Sequence, residues 1–151
     1  LAMHFESPAM NIVGFEHDVT NQEQAGKLKD SLSRLIKGDE LFILTGGLCS
    51  FIEVEIENPF EEEGDHDHDK HHDEEHKEHK EHKEHHNHLE HREFEVEYKA
   101  TCQDISKLSR IDLRLFDVFG SIESLDVQYV VRGNQGAVLL TRTKPFLDLP
   151  K

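Results

Sequence analysis

The feature that most limits how this chain can fold is a segment made almost entirely of histidine, acid and lysine at residues 65–91. It opens Asp-His-Asp-His-Asp-Lys-His-His and later contains three consecutive Lys-Glu-His triplets. Because it has almost no apolar residues, it cannot bury enough surface to offset the entropy lost on ordering. We therefore expect residues 61–91 to form a long, flexible, disordered loop, or a helix of low stability.

Eleven of the thirteen histidines lie in this segment. Neutral imidazole is a preferred ligand for zinc, copper and nickel, and carboxylates add oxygen ligands. A short His-rich tract therefore predicts metal binding, whereas the alternative is a solvated polar linker. The candidate metal ligands are His66, His68, His71, His72, His76, His79, His82, His85, His86, His88 and His91.

The spacing of these histidines predicts the kind of site. A three-residue period drifts around a helix of 3.6 residues per turn, so no single face collects all the ligands. We expect several overlapping sites of two or three ligands that exchange metal readily. Because an imidazole must be neutral to coordinate and its ordinary pKa is about 6.5, metal should be held near neutral pH and shed below about pH 6.

Two histidines lie outside the segment. His17 stands between Glu16 and Asp18 after an apolar run, and it is either part of a fixed, tighter metal site or a surface residue. His4 lies on a predicted strand beside Glu6 and is a weaker candidate ligand.

Residues 52–57 and 94–98 alternate strictly between apolar and acidic side chains, which predicts two half-buried strands. We expect them to pair antiparallel, with residues 61–91 as the connection of the hairpin. Their acidic faces would then oppose each other, which is unfavourable. Either basic residues intersperse or cations are drawn there, and the basic candidates are Arg92, Lys99, Arg132 and Arg142.

One helix is predicted at residues 21–37. Thr20 and Glu23 have the spacing of a capping box, and Gly38 stands where a C-terminal glycine cap belongs. Further strands are predicted by apolar or alternating runs, a turn is predicted at residues 116–120, and Pro145 should end the ordered structure. These strands are residues 1–6, 41–44, 108–115, 125–129 and 137–141. The pattern predicts an α+β fold with a mostly antiparallel sheet, in one zinc-binding domain spanning residues 1–151.

Charge and motifs exclude several classes of function. The formal net charge is −15, which argues against a nucleic-acid partner because binding needs a basic face. No apolar run is long enough for membrane insertion. The sequence contains no zincin, nucleophile-elbow or phosphate-loop motif, so we predict that the protein is not an enzyme and has no catalytic residues.

Cys49 and Cys102 each flank one of the alternating strands. A disulfide between the outer ends of these strands would place the protein in an oxidising compartment, and two buried free thiols are the alternative. Because the chain opens directly on strand-like residues, we expect that it is truncated, so the missing leader says little about export.

The run ESPAMNIVGFEH at residues 6–17 resembles the signature of the ZrgA family, bacterial periplasmic proteins linked to zinc uptake. The Leu-Phe-Asp-Val-Phe element at residues 115–119 and the Leu-Asp-Val-Gln at residues 125–128 also match. The resemblance implies export to the periplasm, zinc binding and delivery of zinc to an inner-membrane ABC importer or its binding protein. It carries over His17 and the histidines of the segment as candidate ligands.

The sequence therefore predicts a small periplasmic protein that scavenges Zn²⁺ with its His-rich loop. Two alternatives are a buffer or chaperone for nickel or copper, and an interaction module whose acidic loop docks on a basic partner.

Overall fold

The computed structural model of the protein describes residues 1–60 and 92–150. All strand pairings in this part of the chain are antiparallel, which confirms the predicted α+β fold. The strands are β1 (Ala2–Pro8), β2 (Phe42–Thr45), β3 (Cys49–Glu57), β4 (Glu93–Cys102), β5 (Arg110–Leu113), β6 (Ser124–Val131), β7 (Asn134–Thr141) and β8 (Phe146–Asp148).

One long helix and three single-turn helices accompany these strands. They are α1 (Ala9–Ile12), α2 (Gln22–Leu35), α3 (Gly38–Leu41) and α4 (Leu115–Val118), with a short 3-10 turn at Ile105–Lys107. Within residues 1–60 and 92–150, none of the helices combines the length and apolar character that a membrane crossing requires.

The first sheet has the strand order β1-β4-β3, so β4 is its central strand. This confirms the predicted pairing of the two alternating segments and adds β1 on the opposite edge of β4. Ile52 is an extra residue in β3, because Phe51 pairs with Ala100 while Glu53 pairs with the preceding residue of β4, Lys99. The resulting β-bulge lets Phe51 share the inner face with the later apolar residues of β3, and it leaves Ile52 exposed.

The inner face of β4 forms the centre of the hydrophobic core. Phe94, Val96 and Tyr98 are completely buried there. The Tyr98 hydroxyl donates a hydrogen bond of 2.7 Å to the carbonyl of Leu35, the last residue of α2. Burial raises the pKa of the Tyr98 phenol well above its ordinary value. The contact fixes the end of α2 over the sheet.

The start of α2 differs from the prediction by one residue. Asn21 is the N-cap, and its side chain accepts a hydrogen bond of 2.9 Å from the backbone N–H of Gln24. The Gln24 side chain in turn accepts a bond from the backbone N–H of Thr20. The predicted capping box of Thr20 and Glu23 is therefore wrong, because asparagine is the better cap and Gln24 takes the role assigned to glutamate.

The end of α2 also differs from the prediction. The helix ends at Leu35 and a separate turn, α3, begins at Gly38, so Gly38 is not a C-terminal cap. A Cβ at Gly38 would lie 3.0 Å from the ring of Phe51 and 3.1 Å from that of Tyr98. Gly38 thus lies where the chain packs closely against two aromatic rings, and a larger residue there would have to displace them.

A second sheet has the order β2-β5-β8, and β6 and β7 form a separate hairpin. Pro145 does not end the ordered structure, because β8 follows it and pairs with β5. The predicted turn at residues 116–120 contains helix α4. The Arg142 guanidinium holds this turn by donating to the carbonyls of Phe116, Gly120 and Ile122.

A disulfide joins Cys49 and Cys102, which confirms the predicted bridge over two free thiols. The two residues are direct partners at the ends of β3 and β4. The bridge therefore closes the end of the hairpin remote from residues 61–91.

Alanine substitutions at two glycines should have opposite effects on stability. Gly38→Ala should lower the free energy of unfolding by about 1–3 kcal/mol, because the new methyl group presses on Phe51 and Tyr98. The matched control Gly26→Ala should raise it by about 0.5–1 kcal/mol, since Gly26 lies in α2 with open space around it. Urea unfolding measures both, and an unchanged midpoint for Gly38→Ala would show that the rings move aside freely.

Candidate metal-binding face

The outer face of the first sheet is a grid of acidic side chains. Because side chains alternate along each strand, the strands that bury Phe94, Val96 and Tyr98 turn their charged residues outward. The cross-strand register aligns these residues in three rows. The rows are Glu6, Glu95 and Glu57, then His4, Glu97 and Glu55, then Ala2, Lys99 and Glu53.

We name His4, Glu6 and Glu95 the sheet-face triad. His4 Nδ1 lies 3.5 Å from Glu6 Oε1, and His4 Nε2 lies 3.6 Å from Glu95 Oε2. One ligand atom from each residue falls within 4.8 Å of the others, and no other group of three or more His, Cys, Asp or Glu in residues 1–60 and 92–150 converges in this way. His4 and Glu6 are exposed and Glu95 is half-buried.

The donor types and separations of the triad suit zinc. Zinc takes imidazole nitrogen and carboxylate oxygen at about 2.0–2.2 Å, so neighbouring ligand atoms lie roughly 3.3 Å apart. A single ion can use only one nitrogen of His4. The other ring nitrogen can then donate its N–H to the remaining carboxylate, which is the usual support for a zinc-bound histidine. Two protein ligands and an open side would make such a site accessible and exchangeable.

Lys99 is the basic residue that offsets this face. Its ammonium lies 2.9 Å from Glu53 and 3.9 Å from Glu55. The hydrogen bond to Glu53, followed by the charges of Glu53, Glu55 and Glu97, raises the pKa of Lys99 above its ordinary value. Glu6, Glu57 and Glu95 have no lysine or arginine partner among the described residues.

Basic residues were expected to lie among the glutamates of this face, and among the four candidates this is confirmed for Lys99 alone. Arg92 forms an ion pair with Asp18. Arg132 donates to the carbonyl of Pro150 and to those of the 3-10 turn, and Arg142 holds the α4 turn. Guanidinium groups satisfy loop carbonyls well because they present several donors in a rigid plane.

His17 lies apart from the sheet-face triad. Its ring stacks on Phe15, with centroids 5.3 Å apart, and its Nδ1 lies 2.8 Å from the carbonyl oxygen of Asp18. The His17 residue is exposed, and Nε2 is the ring nitrogen that this contact leaves for a metal ion. The convergent carboxylates expected from Glu16 and Asp18 do not form a three-residue ligand group with it.

Phe60 and Arg92, the described residues on either side of residues 61–91, contact Phe15 and Asp18, which are neighbours of His17. Phe60 contacts Phe15 and Phe94, with centroids 5.4 Å and 5.9 Å apart. The Arg92 guanidinium lies 5.1 Å from the centre of the Phe60 ring and pairs with Asp18. These contacts fix both ends of the hairpin connection next to an exposed imidazole.

The other predicted ligands lie outside the described residues. These are His66, His68, His71, His72, His76, His79, His82, His85, His86, His88 and His91. Sequence reasoning placed His4 and Glu6 together but missed Glu95 as their partner. The missing signal was the pairing of β1 with β4, which the sequence of β1 alone does not specify.

Comparison with known families defines the class of this chain as a zinc uptake protein. The sequence model of the ZrgA family of zinc uptake proteins matches residues 1–149, so the chain belongs to the ZrgA family. Comparison with curated proteins finds no match.

Family membership supports a role in zinc uptake and association with zinc ions. It gives no support to nickel or copper as the metal. The family is a family of zinc uptake proteins and not a known class of enzymes.

Replacing Lys99 by glutamine should destabilise the protein mainly at low salt. The change leaves Glu53, Glu55 and Glu97 without their basic neighbour, and salt screens the repulsion between exposed charges. The melting temperature should therefore fall at ~10 mM salt and recover much of the difference at ~500 mM. Lys29→Gln, on the exposed face of α2, is the matched control. Equal losses for both variants would show that Lys99 acts only through net charge.

Proposed function

We propose that this protein captures Zn²⁺ in the periplasm through the histidines of residues 61–91 and passes the ion to a zinc importer. The observation that carries the proposal is the joining of eleven closely spaced histidines to a domain of the ZrgA zinc uptake family. The disulfide between Cys49 and Cys102 supports an oxidising compartment such as the periplasm.

Charge favours capture. Residues 61–91 contain four lysines and thirteen acidic residues, so they contribute nine of the excess negative charges of the chain. A field of this sign raises the local concentration of cations, and the imidazoles then select transition metals over calcium and magnesium. Sites of two or three ligands bind less tightly than a closed four-ligand site, which favours transfer over retention.

The sheet-face triad gives the folded domain a metal site of its own in this proposal. His4 and Glu95 would bind the ion, and Glu6 would orient the imidazole of His4. These three residues are positioned by the paired strands β1 and β4, so no chain ordering opposes binding there. His17, beside Phe60 at the base of the segment, would be a single additional ligand.

Removing the segment should abolish most of the zinc capacity. A variant with residues 61–91 replaced by a short Gly-Ser linker should bind fewer zinc ions than the intact protein in isothermal titration at about pH 7.5. The intact protein should lose most of its binding at about pH 5.5, because protonated imidazoles do not coordinate.

The control for this experiment keeps the length and charge of the segment. All eleven histidines are replaced by asparagine while the acidic residues and lysines remain. This control should match the shortened variant. If either variant binds as many zinc ions as the intact protein, capture by the histidines is contradicted.

The sheet-face triad can be tested in the shortened variant. His4→Gln should weaken the remaining zinc binding by about tenfold or more, because it removes the only nitrogen ligand of the face. His17→Gln is the matched control and should have a smaller effect, since no pair of carboxylates converges on it. Equal affinity after His4→Gln would rule out the triad as a zinc site.

A further inference from the structure

Strands β2 and β3 are consecutive in the chain but do not pair with each other. They diverge from the turn at Gly46, Gly47 and Leu48, where all three residues have positive φ. A Cβ at Gly46 would lie 2.1 Å from the carbonyl oxygen of Lys107, and one at Gly47 would lie 2.9 Å from that of Asp104. The turn is thus packed tightly against the chain beneath it, and it directs the two strands into different sheets.

An open groove of about 660 Å³ lies between the diverging strands. Its lining includes Phe42 and Ile43 of β2, Phe51 and Val54 of β3, and Ile36 at the end of α2. A second depression of about 340 Å³ shares Ile36 and extends the space along β3 to Ile56 and Asn58. The groove therefore follows β3 over most of its length.

The edge of β3 that faces this groove is unpaired. The nine residues of β3 form ladder hydrogen bonds with β4 alone, so their remaining backbone N–H and C=O groups have no strand partner in the described part of the chain. Exposed edges are usually protected by charged side chains, proline, a β-bulge or a covering element. β3 has no proline, and its protection consists of the bulge at Ile52 and the charges of Glu53, Glu55 and Glu57, which a basic strand would complement.

Apolar side chains remain exposed along the same groove. Ile36 is 57% exposed, Ile43 is 38% exposed and Ile52 is 67% exposed. Their neighbours Val54 and Ile56 are half-buried at the edge of the core. The hydrophobic face of the first sheet thus continues past its last strand, and no element of residues 1–60 and 92–150 covers it there.

We propose that the edge of β3 binds an extended segment of a partner protein in which basic residues alternate with apolar ones. Such a segment would add a strand to the sheet and form backbone hydrogen bonds with β3. Its apolar side chains would enter the groove over Ile36 and Ile43. Its other side chains would lie on the outer face beside Glu53, Glu55 and Glu57.

Charge selects this partner. On the opposite side of β3, Lys99 of β4 lies near Glu53 and Glu55, but Glu97 and Glu95 are the strand partners of Glu55 and Glu57. One lysine therefore serves the whole acidic row, and a basic strand on the free edge of β3 would add the missing positive charge. A second copy of this chain would bring one glutamate row against another, which is unfavourable across strands. The acidic residues of 61–91 would be repelled for the same reason.

Short peptides test the proposal in the intact protein with chelator present, so that zinc plays no part. A peptide alternating lysine and valine should bind, with amide chemical shifts changing along β3 and at Ile36 and Ile43. A control peptide of the same composition, with all lysines in one block and all valines in another, measures attraction to the acidic segment alone. Its affinity should be at least about tenfold lower than that of the alternating peptide. A peptide alternating glutamate and valine represents acidic segments and should not bind at this edge.

Two substitutions locate the binding. Ile36→Arg should abolish the preference for the alternating basic peptide, because the bulky cation occupies the groove. Val130→Arg is the matched control, since Val130 is an exposed residue of β6 outside the groove, and it should leave the preference intact. Equal binding of the alternating and block peptides, or shift changes confined to residues outside the groove, would overturn the proposal.

Self-association gives a separate outcome. The protein should remain monomeric in sedimentation at low salt, where repulsion between glutamate rows is strongest. A dimer lost on Ile36→Arg would assign the groove to a second copy and would contradict a basic partner.

Discussion

The strict alternation of β4 is the constraint on which the rest of the structure depends. Each residue of this central strand serves one of two faces, because successive side chains point to opposite sides of a sheet. Phe94, Val96 and Tyr98 fill the core, while Glu95, Glu97 and Lys99 form the middle column of the outer face. A slip of one residue in register would exchange the two sets and destroy both. The same pattern therefore specifies the fold and the candidate metal-binding face.

The sequence predicts the parts of the fold that periodicity controls. The hairpin of β3 and β4, the main helix and the disulfide are confirmed because each rests on a local pattern or on two cysteines at matched strand ends. The pairing of β1 with β4 could not be predicted, since a strand edge carries little information about its partner. The purpose of Gly38 was also hidden, because its neighbours Phe51 and Tyr98 are distant in sequence.

The candidate site shows the same division. The histidines of residues 61–91 are evident from composition, and their role as ligands stays a prediction. The sheet-face triad depends on the pairing of β1 with β4, which brings Glu95 close to His4. The sequence alone therefore indicates only His4 and Glu6. Concentrating like charges on one face disfavours folding, yet Lys99 is the one lysine or arginine of the described chain that pairs with it. This retained negative potential is a physical reason for cations to collect there.

The bridge between Cys49 and Cys102 has a consequence for the integrity of the molecule. It encloses the whole of residues 61–91 within a covalent ring, since the segment lies between the two cysteines. A protease that cleaves a single bond in this polar segment would open the ring but release no fragment. The two polypeptides would stay attached through sulfur, and strands β3 and β4 would remain side by side. The covalent link would thus keep both halves of the first sheet in one molecule after a cut between the two cysteines.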